Sequence, residues 1–369
     1  MKQGWEIKKL GEVCESDLGK TLNQSKDTGE LRPYLCAVNV LWDKIDFTTL
    51  KETRFEDAEL ERYTIRKGDL LICEGGDIGR AAIWNYDYEI QYQNALHRVR
   101  LNDGVLSRFL LLYLKHLKDS GVLDTRYGKG VTIKHLVKSS LLSIPIPIPP
   151  REEQERIVEE LDCLSGVIEN KREQLKQLDA LAQSIFYQMF GDPITNEKGW
   201  GVIPLKQAAL LKAGKAIKAN ELSEDYDLGL YPCYGGNGIR GYINKKSHNG
   251  QFPIIGRQGA LCGNVVFAQG EFYATEHAVV CNNIIESFNP LWLYYALKYN
   301  NLNRYAQGVA QPGISVNIIN EMPLIYPPLA LQQEFANKIE AIEKQKELIK
   351  KSISETENLF NARMDYYFN

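Results

Sequence analysis

The chain has 369 residues, which is enough for two or three domains that each bury a core of their own. With 44% hydrophobic and 25% charged residues, its composition is typical of globular proteins and excludes global disorder. No segment approaches about 18 uninterrupted apolar residues, and the N-terminus lacks the apolar stretch of a signal peptide. We therefore expect a cytoplasmic protein that neither spans a membrane nor is secreted.

The charges and the metal-ligating residue types exclude further classes. The net charge of −3 is unevenly spread, because residues 151–190 and 331–369 together carry −5 while residues 1–150 and 199–330 together carry +3. This distribution permits DNA contact through local basic patches without requiring it. The 7 cysteines form no Cys-x-x-Cys pair and the 5 histidines form no i, i+4 pair. We expect reduced thiols and no bound metal.

The chain repeats itself. Trp5–Leu10 recurs as Trp200–Leu205, and the segment Tyr127–Ile157 recurs as 305–335. The shift is 195 residues at the front of the repeat and 178 at its back, so the second copy is shorter in its middle. A period of this length predicts two large modules rather than a solenoid.

The first module, residues 1–150, is predicted to be a mixed α/β head. Short β-like runs at 70–73 and 81–84 flank a glycine-rich turn at 75–79. The apolar segment 107–114 predicts a buried helix, with Ser107 as its N-cap. The alternate prolines of 144–150 exclude a helix or a central strand, so we expect an extended arm that leads out of the head.

A heptad helix follows each head and defines the predicted domains. Apolar residues spaced by 3 and 4 predict about 35 residues of helix over 151–190, roughly 50 Å long, and a second such helix over 331–369. Lys171, Lys346 and Thr356 interrupt the two stripes, and the lysines are expected to set register or to extend toward solvent. The second head occupies 191–330. The predicted stripe residues are Ile157, Leu161, Leu164, Ile168, Leu175, Leu178, Ile185, Phe335, Ile339, Ile342, Ile349, Ile353 and Phe360.

Each stripe needs an apolar partner, and the simplest partner is the other stripe. A parallel pair would require a helix-length return connection, so we predict an antiparallel two-helix coiled coil. The predicted fold is therefore mixed α/β (α+β), with two repeated heads separated by this coiled coil.

The order of head, Pro-Pro arm and heptad helix, twice over, resembles the specificity subunit of type I restriction–modification enzymes. The segment 148–157, with Pro149-Pro150 and Gln154, is similar to the family signature Pro-Leu-x-Glu-Gln-x-x-Ile. The second copy at 327–335 keeps Pro, Leu and Gln but has Leu331 where Glu is usual. The opening at 5–13 and the run 231–242 also resemble family segments. The resemblance covers essentially the whole chain.

This resemblance implies a sequence-specific DNA-binding subunit without an active site of its own. Its heads would be target-recognition domains that each read one half of a split target, and its helices would set the gap and dock methyltransferase subunits. Two methyltransferase subunits and restriction/translocase subunits are the implied partners. S-adenosylmethionine, ATP and Mg²⁺ are implied in those partners, with no cofactor in this chain.

The candidate DNA contacts lie in glycine-containing loops. Equivalent segments at 127–135 and 305–314 combine glycine, aromatic, amide and basic residues, which suit groove contact, although the glycines alone could serve to turn the chain. Arg80 and Arg257 follow the paired glycine turns of each head and fit a phosphate contact or a structural ion pair equally well. The full set is Arg80, Lys129, Thr132, Lys134, Arg240, Lys245, Lys246, Arg257, Gln311 and Asn317.

Two motifs suggest other chemistry. Residues 236–241 satisfy G-x-G-x-x-G but lack the strand before and the helix after that a dinucleotide site requires, which leaves a DNA-facing loop or a plain surface hairpin. Asn289-Pro290-Leu291-Trp292 is similar to a DNA amino-methyltransferase motif, but a helix cap at Asn289 explains it better. Two alternatives therefore stay open, a self-contained DNA adenine methyltransferase and a coiled-coil scaffold without a DNA role. His97 and Cys73 are expected in the core rather than as nucleophiles.

Overall fold

The structure is a computed structural model that describes residues 4–23, 27–102, 104–132, 134–308 and 311–369. It divides into two compact units, Met1–Lys171 with Ser352–Asn369 (unit 1) and Arg172–Lys351 (unit 2). Each unit therefore combines one head with part of both long helices.

The head of unit 1 is mixed α/β, as predicted. Its helices are α1 (Asp57–Tyr63), α2 (Ser107–Asp119) and α3 (Lys138–Leu142). Its strands are β1 (Glu6–Lys9), β2 (Cys14–Leu18), β3 (Glu30–Leu35), β4 (Val40–Leu41), β5 (Lys44–Ile45), β6 (Lys51–Phe55), β7 (Thr64–Ile65), β8 (Leu70–Cys73), β9 (Ala81–Ile83), β10 (Ile90–Tyr92), β11 (Leu96–Leu101) and β12 (Pro145–Ile148). They form four-stranded sheets in the orders β6-β3-β10-β7 and β2-β11-β8-β9, with the pairs β1-β12 and β4-β5.

Helix α2 lies in the core of this head. The run from Phe109 to Leu114 is buried and packs in one apolar cluster with strand residues such as Leu70 and Ile72. The buried helix is thus confirmed, but its predicted cap is wrong. The N-cap residue is Leu106, and the hydroxyl of Ser107 donates instead to the Gly68 carbonyl at 2.9 Å.

The proline-rich segment is extended but does not simply lead out of the head. Strand β12 pairs antiparallel with β1, so that Glu6 lies opposite Ile148 and Lys9 opposite Pro145. Prolines are tolerated because a strand of a two-stranded sheet has one edge that needs no ladder hydrogen bond. The front and the back of the sequence repeat therefore meet in this small sheet.

Unit 2 repeats that arrangement around a different sheet. Its strands are β13 (Gly201–Pro204), β14 (Leu210–Ala213), β15 (Tyr231–Gly235), β16 (Gly238–Ile243), β17 (His248–Gly256), β18 (Val265–Ala274), β19 (Ala278–Asn282) and β20 (Pro323–Tyr326). Six of them form one sheet in the order β14-β19-β17-β18-β15-β16, and β13 pairs with β20. In that pair Gly201 lies opposite Tyr326, the same repeat register as in β1-β12. The helices are α5 (Pro290–Tyr299) and α6 (Val316–Asn320).

The two long helices are α4 (Arg151–Phe190) and α7 (Leu329–Phe368). Each has 40 residues, about 60 Å of helix and somewhat longer than predicted. Helix α4 ends where expected, because Gly191 adopts a positive φ of 76° that stops the helix. Helices of the described ranges include none that is long and apolar enough to cross a bilayer.

Candidate DNA interface and spacer helices

Two equivalent loops, one in each head, are closed in the same way. Lys129 and His135 exchange backbone N–H···O hydrogen bonds of 2.8 and 2.7 Å, and Gln307 and Gly313 exchange bonds of 2.8 and 2.9 Å. The repeat shift of 178 maps each closing residue of the first loop onto its counterpart in the second. The predicted equivalence of the loops therefore holds in the backbone.

Glycine lets both loops turn. Gly130 and Gly308 have φ angles of 107° and 91°, which side-chain-bearing residues rarely adopt. Ile133, Val309 and Ala310 belong to these loops but lie outside the described residues.

Most candidate side chains of the loops face solvent. Lys129, Thr132 and Gln311 are exposed, and so is Asn317, which lies on α6. Lys134 is half-buried, and its ammonium donates to the Asp124 carbonyl at 2.7 Å, so it holds the loop instead of projecting from it. The DNA-binding role of these residues stays a prediction.

The two arginines after the glycine turns are half-buried. The guanidinium of Arg80 donates to the Ala37 carbonyl at 2.7 Å, which points it into its own unit. The backbone of Arg257 accepts a hydrogen bond from Ile314 N–H at 2.9 Å, next to the second loop. Within the described parts of the chain neither arginine forms an ion pair.

The glycine motif at 236–241 is part of a hairpin. Residues 236–237 connect the antiparallel strands β15 and β16, and residues 238–241 lie in β16, which confirms the hairpin and gives none of the context of a dinucleotide site. Arg240 is exposed and lies over Gly235, where a Cβ would come within 2.5 Å of Arg240 Cδ.

The two lysines after this hairpin are exposed, but each has an acidic neighbour. Lys245 pairs with Glu221 and Lys246 pairs with Glu271. Each carboxylate hydrogen bond raises the pKa of its lysine. A DNA phosphate would have to compete with these carboxylates, so both lysines are weaker candidates than the sequence suggests.

The Asn289 motif is a helix cap, as predicted. The Asn289 side chain accepts hydrogen bonds from the backbone N–H groups of Leu291 and Trp292, and Pro290 occupies the first turn of α5.

The long helices pair antiparallel in unit 1. Arg363 donates to Glu160 at 2.9 Å, and Lys171 approaches Thr356 Oγ1 at 3.5 Å. The partner number falls as the residue number rises, which defines the direction. Inside the stripe, Lys171 thus donates to the hydroxyls of Ser352 and Thr356 on the facing helix.

The pairing in unit 2 is antiparallel as well. Lys346 donates to Asp179 at 2.7 Å, and the ring centroids of Phe186 and Phe335 are 5.5 Å apart. Burial disfavours the Lys346 ammonium, but its hydrogen bonds to Asp179 and Glu343 outweigh burial and raise its pKa. None of the thirteen predicted stripe residues is exposed.

At the C-terminal end of α4, the predicted stripe residue Ile185 packs against the core of unit 2, but two neighbouring side chains are buried more deeply. Ile185 and Met189 are half-buried, whereas Phe186 and Phe190 are fully buried. The ring of Phe190 also contacts Trp292 of α5 at 5.7 Å, so the buried face widens where the helix joins the head core. The heptad pattern predicts only the residues that face the other long helix, so it does not predict this additional contact with α5.

A buried glutamine links helix and head in unit 1, and the sequence did not assign it a role. The Gln154 amide accepts from Leu106 N–H at 2.9 Å and donates to the carbonyls of Gly104 at 2.9 Å and Pro149 at 3.0 Å. It thus ties the Pro-Pro segment and the start of α2 to α4.

Gln332 does the same in unit 2. It accepts from Asn289 N–H at 3.0 Å and donates to the carbonyls of Pro327 at 2.9 Å and Ser287 at 3.2 Å. The geometry explains why each copy of the signature keeps glutamine. Leu331, which departs from the signature, packs half-buried against the core of unit 2.

Across the described residues there is no cluster of three or more His, Cys, Asp or Glu side chains placed to hold a metal ion. His97 and Cys73 have no exposed surface, which confirms that they are core residues.

The repeated heads and the buried stripes define a modular, two-headed α/β protein, and comparison with known sequences gives its family. The chain belongs to the type I restriction modification DNA specificity domain family, whose profile matches residues 2–180 and again 197–358. It is a specificity subunit of a type I restriction–modification system and serves in DNA target recognition.

Known relatives agree with this assignment. The EcoprrI specificity subunit of Escherichia coli is 47% identical over 123 residues, a match that spans 33% of this chain and 30% of that subunit. The MjaIX specificity subunit of Methanocaldococcus jannaschii is 23% identical over 92% of this chain and 86% of its own.

A solved structure has the same fold. The S subunit of a type I restriction–modification system from M. genitalium has a TM-score of 0.64 at 16% identity and covers 99% of this chain and 96% of its own.

Proposed function

We propose that each head reads one half of a split DNA target and that the paired helices set the gap between the halves. The support is the antiparallel pairing of α4 with α7 inside each unit together with the equivalent loops at Lys129–His135 and Gln307–Gly313. A duplicated reading element on a stiff duplicated spacer suits a target with two specified segments.

In this proposal the chain is not itself catalytic. The helices dock methyltransferase subunits, which bind S-adenosylmethionine, and restriction/translocase subunits use ATP and Mg²⁺. The self-contained methyltransferase and the scaffold without a DNA role, both open from the sequence, find no support in the family assignment.

Shortening the spacer by a heptad in each helix tests the gap-setting role. Residues 165–171 and 352–358 face each other in unit 1, and removing both segments deletes Lys171 together with Thr356 and keeps both apolar stripes in phase. Seven residues correspond to about 10 Å of helix, or about three base pairs. We expect the methylated target to lose about three base pairs of gap.

The control is Gly166→Ala, which changes the same helix without changing its length, at a position where an added Cβ meets no atom within 4 Å. Mapping methylated bases in cells that carry each variant with its methyltransferase subunits gives the gap directly. An unchanged gap in the shortened variant would show that the helices do not measure the target.

A second experiment addresses the heads. Exchanging residues 191–330 for the corresponding head of another specificity subunit should change one half of the methylated target and leave the other intact. A change in both halves would contradict independent reading.

A further inference from the structure

A concave basic site lies in the second head and includes one residue that the sequence singled out, Lys246. The site is a cavity of about 370 Å³ between the end of β14, the start of β17 and the end of β18. Its lining includes Lys212, Lys215, Lys246, Ser247 and His248, and none of the nine residues that line it is acidic. Three lysines therefore line one cavity whose lining contains no acidic residue.

The lysines of this site differ in their partners. Lys246 is paired with Glu271, whereas Lys212 and Lys215 are exposed and form no ion pair within the described ranges. An isolated surface lysine is ordinarily just solvated. Two unpaired lysines at a cavity that also holds a hydroxyl and an imidazole form a more specific arrangement.

Ser247 and His248, which line the cavity, are held in place by their neighbours. The Ser247 hydroxyl lies 2.7 Å from His248 Nδ1, and the His248 ring stacks on Phe272 at 5.0 Å with an interplanar angle of 8°. Ser247 also accepts a hydrogen bond from Ala274 N–H at 3.0 Å. These neutral groups suit an anionic oxygen that the lysines attract.

The first head has a lysine at the position equivalent to Lys215, but its environment is different. The repeat shift of 195 maps Gly214 onto Gly19 and Lys215 onto Lys20. Both glycines press against neighbouring backbone, since an added Cβ would lie 2.0 Å from Ala274 O and 2.4 Å from Gln93 O respectively. The two turns are therefore structurally equivalent.

Unlike Lys215, Lys20 forms hydrogen bonds and ion pairs within its own head. It is buried, donates to Glu59 at 2.6 Å and to the Arg54 carbonyl at 2.8 Å, and pairs with Asp27. Asp17 occupies the position of Lys212 and pairs with Arg98 at 3.3 Å. The first head thus neutralises this turn within its own fold, while the second head leaves two positive charges available.

We propose that the Lys212–Lys215 cavity binds a phosphate of the DNA backbone beside the half-target that the second head reads. This inference rests on the proposed DNA-reading function and adds a sequence-independent anchor that the second head has and the first lacks. Lysine suits this role because its ammonium binds phosphate as a point charge, and a contact to phosphate does not depend on the base sequence.

The test is the salt dependence of DNA binding. The complex of the chain with its methyltransferase subunit is titrated with two duplexes, one carrying the mapped target and one unrelated, between about 50 and 200 mM salt. Binding weakens as salt increases, and each lost phosphate contact reduces the magnitude of the slope of log Kobs against log salt by about 0.9. Because the two lysines share one phosphate, we expect Lys212→Gln with Lys215→Gln to reduce the magnitude of this slope by about 0.9 on both duplexes and to keep the preference for the target.

Lys206→Gln is the matched control, because Lys206 is on the same head but pairs with Glu321. Its slope should stay within about 0.3 of the unaltered complex. If the double variant keeps the original slope while the unaltered complex binds the target, the phosphate site is refuted and the DNA-reading function stands. If the double variant instead loses preference for the target, the lysines read bases and the proposal is equally wrong. If the unaltered complex shows no salt-dependent binding to either duplex, the proposed function itself fails.

Discussion

Replacing Gln332 by leucine tests whether the buried glutamine joins helix α7 to the second head. The side chain has no exposed surface, and its amide makes three hydrogen bonds to backbone groups. Leucine fills a similar volume but leaves one N–H and two carbonyl groups without these partners, and of the three only the Pro327 carbonyl belongs to a buried residue. An unpaired group costs about 1–3 kcal/mol when buried and less when half-buried, so we expect unit 2 to lose about 3–6 kcal/mol of unfolding free energy. A typical domain has only about 5–15 kcal/mol in total.

The neighbouring substitution Gln333→Leu is the matched control. Gln333 is exposed, and its hydrogen bonds, 3.1 Å to Asn289 and 3.0 Å to Asn337, are between solvent-accessible side chains. It should cost less than about 1 kcal/mol. Urea unfolding gives the free energies, and hydrogen exchange at Asn289 N–H reports the local effect, since this group loses its acceptor only in Gln332→Leu. Equal costs for the two variants would refute the idea that the glutamine carries this junction.

Two further predictions concern single side chains. Burial lowers the pKa of His97, whose Nε2 donates to the Leu136 carbonyl at 2.7 Å, so below about pH 6.5 the unfolded chain takes up a proton that the folded chain does not. The free energy of unfolding should therefore fall as the pH drops from 7 toward 5. The variant His97→Gln, whose amide can donate to the same carbonyl, should show a smaller fall over this range. Parallel plots of unfolding free energy against pH for the two proteins would contradict this. A double-mutant cycle of Lys346→Met with Asp179→Asn should give a coupling of about 0.5–1 kcal/mol, because Asp179 is 55% exposed, and a coupling of zero would remove this pair from the stabilising contacts.

Much of the architecture could be predicted because it is written in local patterns. Stripes spaced by 3 and 4 residues require a long amphipathic helix whatever else the chain does, and the structure has helices at 151–190 and 329–368. Asn289 before Pro290 predicts a helix start from neighbouring atoms alone, and the cap is there. The duplicated segments at the two ends of the repeat likewise predicted two modules.

The candidate site was less predictable, because its decisive contacts join residues far apart in the chain. Nothing next to Lys245 in sequence indicates that Glu221 neutralises it, and nothing next to Lys215 indicates that no carboxylate reaches it. Ser107 has the composition of a cap, yet it bonds to Gly68, 39 residues away. The DNA contacts within the two loops remain predictions for the same reason.

The sequence alone thus determined the repeat, the mixed α/β heads, the helical stripes and the family, since each depends on order and spacing along the chain. Only the tertiary structure decided which stripe residues meet, where Gln154 and Gln332 place their amides, and which lysines stay unpaired. Those outcomes depend on close approach between distant segments, and hydrogen bonds and ion pairs act over distances that spacing along a chain does not encode.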